Sequence, residues 1–150
     1  MNSSRMNEKP SRPKREKPLI LLVDDYLDTL ELTTEFLQFR GFDVITAMDG
    51  GAALKEAREH LPDLLLLDLS LPVLDGLEVM RRLKKDPDTS FMHIIAFTAH
   101  ALESKAEEAR AAGCDGFITK PVVPDDMVKE IQRALGLAVE TVSSKAGARG

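Results

Sequence analysis

Asp68 closes an uninterrupted apolar run, Leu64-Leu65-Leu66-Leu67, and is followed by Leu69-Ser70-Leu71-Pro72-Val73-Leu74-Asp75-Gly76. A short run with no polar face suits a parallel strand covered on both sides, although a buried turn of helix has the same periodicity. The length of the run and the Leu71-Pro72 and Asp75-Gly76 breakers behind it favour the strand. Asp68 then sits where the strand leaves the core, and in open α/β sheets ligand chemistry gathers at strand carboxyl ends. A carboxylate there is costly to desolvate unless it has a cation or a chemical role. Three more apolar runs end in the same manner: Leu19–Val23 in Asp24-Asp25, Ile94–Phe97 in Thr98-Ala99, and Phe117–Thr119 in Lys120-Pro121. If the strands are parallel, three carboxylates, a hydroxyl and an ammonium converge on one edge.

That set has a definite chemistry. Three carboxylates at one edge raise each other's pKa unless a cation joins them. All are hard oxygen donors, with no His or Cys in the motifs, which selects Mg2+ over Zn2+. Aspartate is a competent nucleophile toward phosphorus, and phosphoryl transfer is mostly positioning plus neutralisation of charge. Mg2+, the Thr98 hydroxyl and the Lys120 ammonium would hold the three oxygens of an acyl phosphate on Asp68. Taken singly, Asp-Asp and Asp-Gly pairs are commonly turns or caps. The weight lies in all of them occurring in order, each at a strand end.

The elements that must position these residues alternate. After the strand at 19–23, Asp24–Asp28 forms a loop with Asp28 as candidate N-cap of a helix over Thr29–Arg40, whose apolar face is Leu30, Thr34, Phe36 and Leu37. Gly41 is expected at C′. A second strand at Val44–Ala47 precedes a helix from Asp49-Gly50 to His60, stopped by Leu61-Pro62. Leu77, Met80 and Leu83 space as a helix ending at Lys84-Lys85, where basic residues suit a helix C-terminus. The fourth strand is expected over His93–Phe97. A helix over Leu102–Ala112 has high propensity but a thin apolar face, and Gly113 caps it. The last helix runs from Pro124 to Leu135, with Met127, Ile131 and Leu135 at i, i+4, i+8. Five strands alternating with helices across short loops give an α/β fold: a doubly wound, five-stranded parallel sheet of flavodoxin-like type. The expected organisation is a disordered basic tail at 1–18, one domain at 19–136 and a flexible tail at 137–150.

Composition bounds the function. The chain has 150 residues, enough for one domain with a sizeable core. Residues 1–18 carry six basic and two acidic side chains, a net +4, so the remaining residues hold −9 of the total −5. An acidic body argues against nucleic-acid binding, which needs a basic face. The basic tail suits a solubilising extension. No apolar run approaches the roughly 20 residues of a membrane helix, and no apolar segment follows the charged N-terminus as a signal peptide would require. Cys114 is the only cysteine, which excludes an internal disulfide or a thiolate metal site and suits a cytoplasmic location. It reads as a small filler after Gly113. His60, His93 and His100 share no ligand spacing.

Over roughly Leu19 to Leu135 the chain resembles a response-regulator receiver domain of bacterial two-component signalling, of the chemotaxis-regulator-like single-domain type. The likeness rests on Asp24-Asp25, on Asp68 with Leu71-Pro72 and Asp75-Gly76, on Thr98-Ala99 and on Lys120-Pro121. It implies that Asp68 is the phosphoacceptor. Asp24, Asp25, Asp68 and the backbone carbonyl of Ser70 would be ligands of Mg2+, with Mn2+ as an alternative. It further implies that Thr98 is the switch hydroxyl, that Lys120 contacts the phosphoryl group, and that Lys120-Pro121 is cis. Phe117 takes the place of the switch aromatic, often Tyr in the family. His100 stands where the family tunes loss of phosphate to water, and the exposed side of the first helix is where the family docks its histidine donor. The implied partners are a histidine kinase or histidine phosphotransfer protein and an unnamed downstream protein, without direct DNA binding or membrane insertion. The domain would catalyse only its own phosphorylation and dephosphorylation. Because no output domain follows Leu135, the output is expected to be a protein contact or onward phosphotransfer.

Other classes fit less well. A dinucleotide-binding enzyme needs G-x-G-x-x-G after the first strand, where this chain has Asp24-Asp25-Tyr26-Leu27-Asp28. A phosphatase of the haloacid-dehalogenase type carries a second Asp two residues after its nucleophile, where this chain has Ser70, and a cap domain has no room. A degenerate receiver serving only as a binding module would lack the acceptor, an acidic partner or the lysine, and none is missing.

Overall fold

The structure, a computed structural model, describes residues 15–71, 74–99 and 103–137. The expectations for residues 1–14, Pro72, Val73, His100, Leu102 and 138–150 fall outside the described residues. Within them the order is β1 Leu19–Val23, α1 Leu27–Phe39, β2 Asp43–Ala47, α2 Gly50–His60, β3 Leu64–Asp68, α3 Gly76–Lys85, β4 His93–Thr98, α4 Glu103–Ala112, β5 Gly116–Thr119 and α5 Pro124–Ala134. The five strands form one sheet in the order β2-β1-β3-β4-β5, with every pair parallel.

Three of the four apolar runs become the inner strands β1, β3 and β4, and the shortest, β5, lies at an edge. All five residues of β3 are buried. Leu65 and Leu67 join a cluster with Ala53, Leu54 and Ala57 of α2, Met80 and Leu83 of α3, and Ala109 of α4. Leu64 and Leu66 turn the other way, to Leu30 and Leu37 of α1 and Met127, Val128 and Ile131 of α5. Alternation along a strand therefore divides the helices into two layers, as strand pleating requires. Burying each of these leucines contributes about 1.5–3 kcal/mol over leaving it in water. At the sheet edge, β2 carries exposed Asp43 and Thr46.

The helix boundaries follow local chemistry. Asp49 caps α2 by accepting from the Ala52 N–H at 2.8 Å, and Asp75 caps α3 by accepting from Glu78 N–H at 3.1 Å. Helix α2 ends at Leu61 in the left-handed region, φ +46°. The Arg15 guanidinium covers its last carbonyls, donating to His60 O at 2.6 Å and Leu61 O at 3.2 Å. Gly41 follows the C-cap Arg40 at φ +98°, as expected for C′. The expectation for Asp28 is corrected: α1 begins earlier, at Leu27, with Tyr26 as N-cap and no side-chain cap. Asp28 instead lies in the first turn, where its charge favours the positive end of the helix dipole. The loop is shorter because Asp24 Oδ1 accepts from Tyr26 N–H at 3.0 Å and turns the chain at once. Leu135 lies one residue past α5 and packs against the cluster of α1 and α5. Among the described residues no helix is long and apolar enough to cross a membrane.

Candidate functional site

Register assembles the site. Val23 pairs with Leu67, Asp68 with Phe97, and Thr98 with Thr119, so the polar residues after or at these strand ends reach one edge together. Facing splits them. Asp24 continues the Ile20 and Leu22 side of β1, Asp68 the Leu64 and Leu66 side of β3, and Lys120 the Ile118 side of β5; all are the side covered by α1 and α5. Thr98 alternates to the opposite side, where Ala96 of β4 lies beside half-buried Phe117 of β5.

Asp24 and Asp68 are buried, with 1% and 6% of their surface exposed. The Lys120 ammonium lies between them, donating to Asp24 Oδ2 at 2.7 Å and to Asp68 Oδ2 at 3.5 Å. The second oxygen of Asp68 accepts from the Ser70 backbone N–H at 2.9 Å, so the chain folds back over its own carboxylate as it leaves β3. Asp25 is exposed, yet Asp24, Asp25 and Asp68 each bring a carboxylate oxygen within 4.8 Å of the other two. Three hard oxygen donors at that spacing, two of them on buried side chains, fit a small divalent cation. Thr98 is buried at the same edge, and its carbonyl accepts from the Lys120 backbone N–H at 2.8 Å. The Lys120-Pro121 bond is cis.

Electrostatics agree with this geometry. Burial pushes Asp68 above the ordinary carboxylate range; the Ser70 N–H and Lys120 pull it back, and the charge of Asp24 pushes it further up. Burial also opposes the charge on Lys120, but its bond to Asp24 and the charges of Asp68 and Asp24 outweigh that and hold it above the usual lysine value. The ammonium is thus charged across the physiological range and offsets part of the repulsion.

Two contributors to the site went unread in the sequence as such. Gly76 looked like a breaker, but a side chain there would lie 2.5 Å from Asp68 O and 2.7 Å from Leu69 Cα. Only glycine lets the start of α3 rest against the end of β3. Phe97 looked like one more apolar strand residue, and its ring lies beneath Lys120, the ammonium 4.7 Å from its centroid. No sequence signal separates such a ring from an ordinary core residue. His60 and His93 lie away from the site, His60 exposed beside Glu56 and Glu59 and His93 at the start of β4. Cys114 is half-buried, and burial pushes its thiol up, away from nucleophilic use.

Comparison with known proteins identifies the family. The family profile described as response regulator receiver domain matches residues 20–132. The polar-differentiation response regulator DivK of Brucella anthropi is 35% identical over 117 residues, covering 78% of this chain and 95% of that protein. A CheY-like receiver domain protein from Methanospirillum hungatei superposes with a TM-score of 0.76 at 30% identity, over 81% of this chain and 95% of the other. The receiver domain of a sensor histidine kinase from Pseudomonas aeruginosa, whose crystal structure has a magnesium ion coordinated in the active-site cleft, gives a TM-score of 0.74 at 31% identity, over 80% and 98% of the two chains. Matched by the family profile over most of its length and by relatives of 35% identity, the chain belongs to the response regulator receiver domain family, which serves two-component phosphorelay signalling.

Proposed function

We propose that Asp68 is the phosphoacceptor of this receiver and that residues 19–136 form the functional domain. The observation that carries the reading is the asymmetry of the Asp68 carboxylate: Oδ1 is tied to the Ser70 N–H, while Oδ2 faces Lys120 at 3.5 Å. Oδ2 is therefore the oxygen left for the phosphoryl group. The donor is a phosphohistidine on a histidine kinase or histidine phosphotransfer protein. Asp68 attacks phosphorus, the P–N bond breaks as the new P–O bond forms, and the imidazole leaves with the electron pair and takes up a proton. Lys120 balances charge on the acyl phosphate, and Thr98 donates its hydroxyl to a phosphoryl oxygen. Asp24, Asp25, Asp68 and the Ser70 carbonyl would hold Mg2+, with Mn2+ as a substitute. When bound, the ion neutralises charge shared by the carboxylates and the phosphoryl group.

The output is a change in affinity for a downstream protein. Thr98 and Phe117 lie on the same side of the sheet, so a pull on the segment after β4 would open space into which the Phe117 ring turns. Apart from its own phosphorylation and dephosphorylation the domain needs no catalytic activity, and in this reading it works in the cytoplasm. Incubation with Mg2+ and acetyl phosphate should add one acid-stable, base-labile phosphoryl group, located at Asp68 by peptide mass spectrometry. EDTA or Asp68→Asn should abolish it. Label on Ser70 would reject the assignment.

A further inference from the structure

We infer that Phe97 is a positioning residue for Lys120, its ring a cation–π platform that keeps the ammonium within reach of the phosphoacceptor. The inference deepens the phosphoacceptor reading and rests on it. Lysine is a flexible four-carbon stem with a point charge at its tip, and by itself defines position poorly. Here the two carboxylates do not share it evenly: Asp24 holds it at 2.7 Å and Asp68 at 3.5 Å. The ammonium is already seated nearer Asp24 and reaches Asp68 only at the long limit of a hydrogen bond, so a small further slip would end that second contact. The Phe97 ring supplies a third constraint. Its centroid is 4.7 Å from Nζ, inside the roughly 6 Å reach of a cation–π contact.

Sheet register makes the arrangement. Phe97 pairs with Asp68 on one side and with Ile118, two residues before Lys120, on the other. The ring therefore stands between acceptor strand and lysine strand on the face they share. It is 3% exposed and packs with Ile118 and Met127, so it is itself held still. The Lys120 side chain is only about a quarter exposed, which removes much of the water that weakens such contacts. An aliphatic residue at 97 would keep the core apolar, though with a void where the ring had been. It would not attract the ammonium, and Lys120, already 2.7 Å from Asp24, would be free to give up its longer contact with Asp68.

The test replaces Phe97 with phenylalanines bearing one, two or three ring fluorines. These keep shape and burial while progressively draining the negative face of the ring. The readout is beryllofluoride affinity at saturating Mg2+, with the thermal midpoint measured alongside. Affinity should fall stepwise with fluorine number, and Phe97→Leu should lose about two- to thirtyfold in total. In a Lys120→Met background the fluorine series should be flat. A flat series in the parent protein, or an equal slope without Lys120, overturns the platform. Asp68→Asn separates this from the underlying reading. If that variant binds beryllofluoride as the parent does, the phosphoacceptor assignment fails; if only the parent binds and the series is flat, the role of Phe97 alone fails.

Discussion

At Asp68 burial and pairing oppose each other, and burial prevails, since its pKa is raised. A carboxyl with a raised folded-state pKa favours the fold while protonated. That contribution is complete below the ordinary aspartate value and is lost as pH rises through the raised folded value. At neutral pH without metal, Asp68→Asn should therefore be more stable than the parent. The advantage should shrink as pH falls through the Asp68 titration and vanish below the ordinary aspartate range. Urea midpoints across pH measure this directly, and an advantage independent of pH would mean that Asp68 ionisation is not its source. Lys120 is the counterweight. Lys120→Ala leaves Asp24 and Asp68 buried without their cation, and should cost about 1–3 kcal/mol in metal-free urea unfolding. Mg2+ should still bind this variant, but phosphorylation should no longer produce the conformational response.

At the scale of elements, function depends on how closely one segment meets the next. The α3 N-terminus rests on the end of β3 because Gly76 has no side chain, and Asp75 secures the helix start. Gly76→Ala forces a methyl against the Asp68 carbonyl and should cost about 1–3 kcal/mol by overpacking. Its phosphorylation rate should drop as well, since the displaced backbone carries the proposed acceptor. Helix α4 is the opposite case. Ala109 is its contribution to the buried core among residues whose side chains are described, so little burial resists a shift of the helix. Weakly anchored elements are the ones recruited into switches. On beryllofluoride binding, amide exchange should change most within 98–120, and Thr98→Ala should blunt that change while preserving phosphorylation of Asp68. A response centred on residues 28–60 would assign the output to a different surface.

For the whole molecule, the carboxylate edge links ligand binding to folding. Its carboxylates come from the ends of two strands, β1 and β3, and meet only in the folded chain, so a cation bound there stabilises the native state and not the unfolded one. At a hundredfold excess over Kd the gain is about 2.7 kcal/mol. Calorimetry with and without Mg2+ should show a clear rise in Tm for the parent protein and a smaller one for Asp68→Asn. Equal shifts in the two would show that the ion acts elsewhere. A second acidic group, Glu56, Glu59 and His60 on α2, offers a control. Its removal should leave the Mg2+ shift unchanged, because Lys55 already neutralises Glu59 at 2.9 Å.

Fold and acid edge were legible along the chain for a local reason. Each inner strand is an apolar run that ends in a polar residue, so periodicity marks both the strand and the place where it leaves the core. Glycines with positive φ and the basic end of α3 marked helix limits in the same local manner. Asp28 misled because its cap geometry depends on a turn made by Asp24, which composition does not reveal. What only the tertiary structure decided is pairing. Lys120 meets Asp24 across 96 positions and Asp68 across 52, at unequal distances that follow from strand order and register. The same register sets Phe97 beneath Lys120 and separates it from Thr98, its neighbour in sequence, by a whole face of the sheet. An apolar strand residue carries no mark of what lies above it, because that neighbour arrives from another strand.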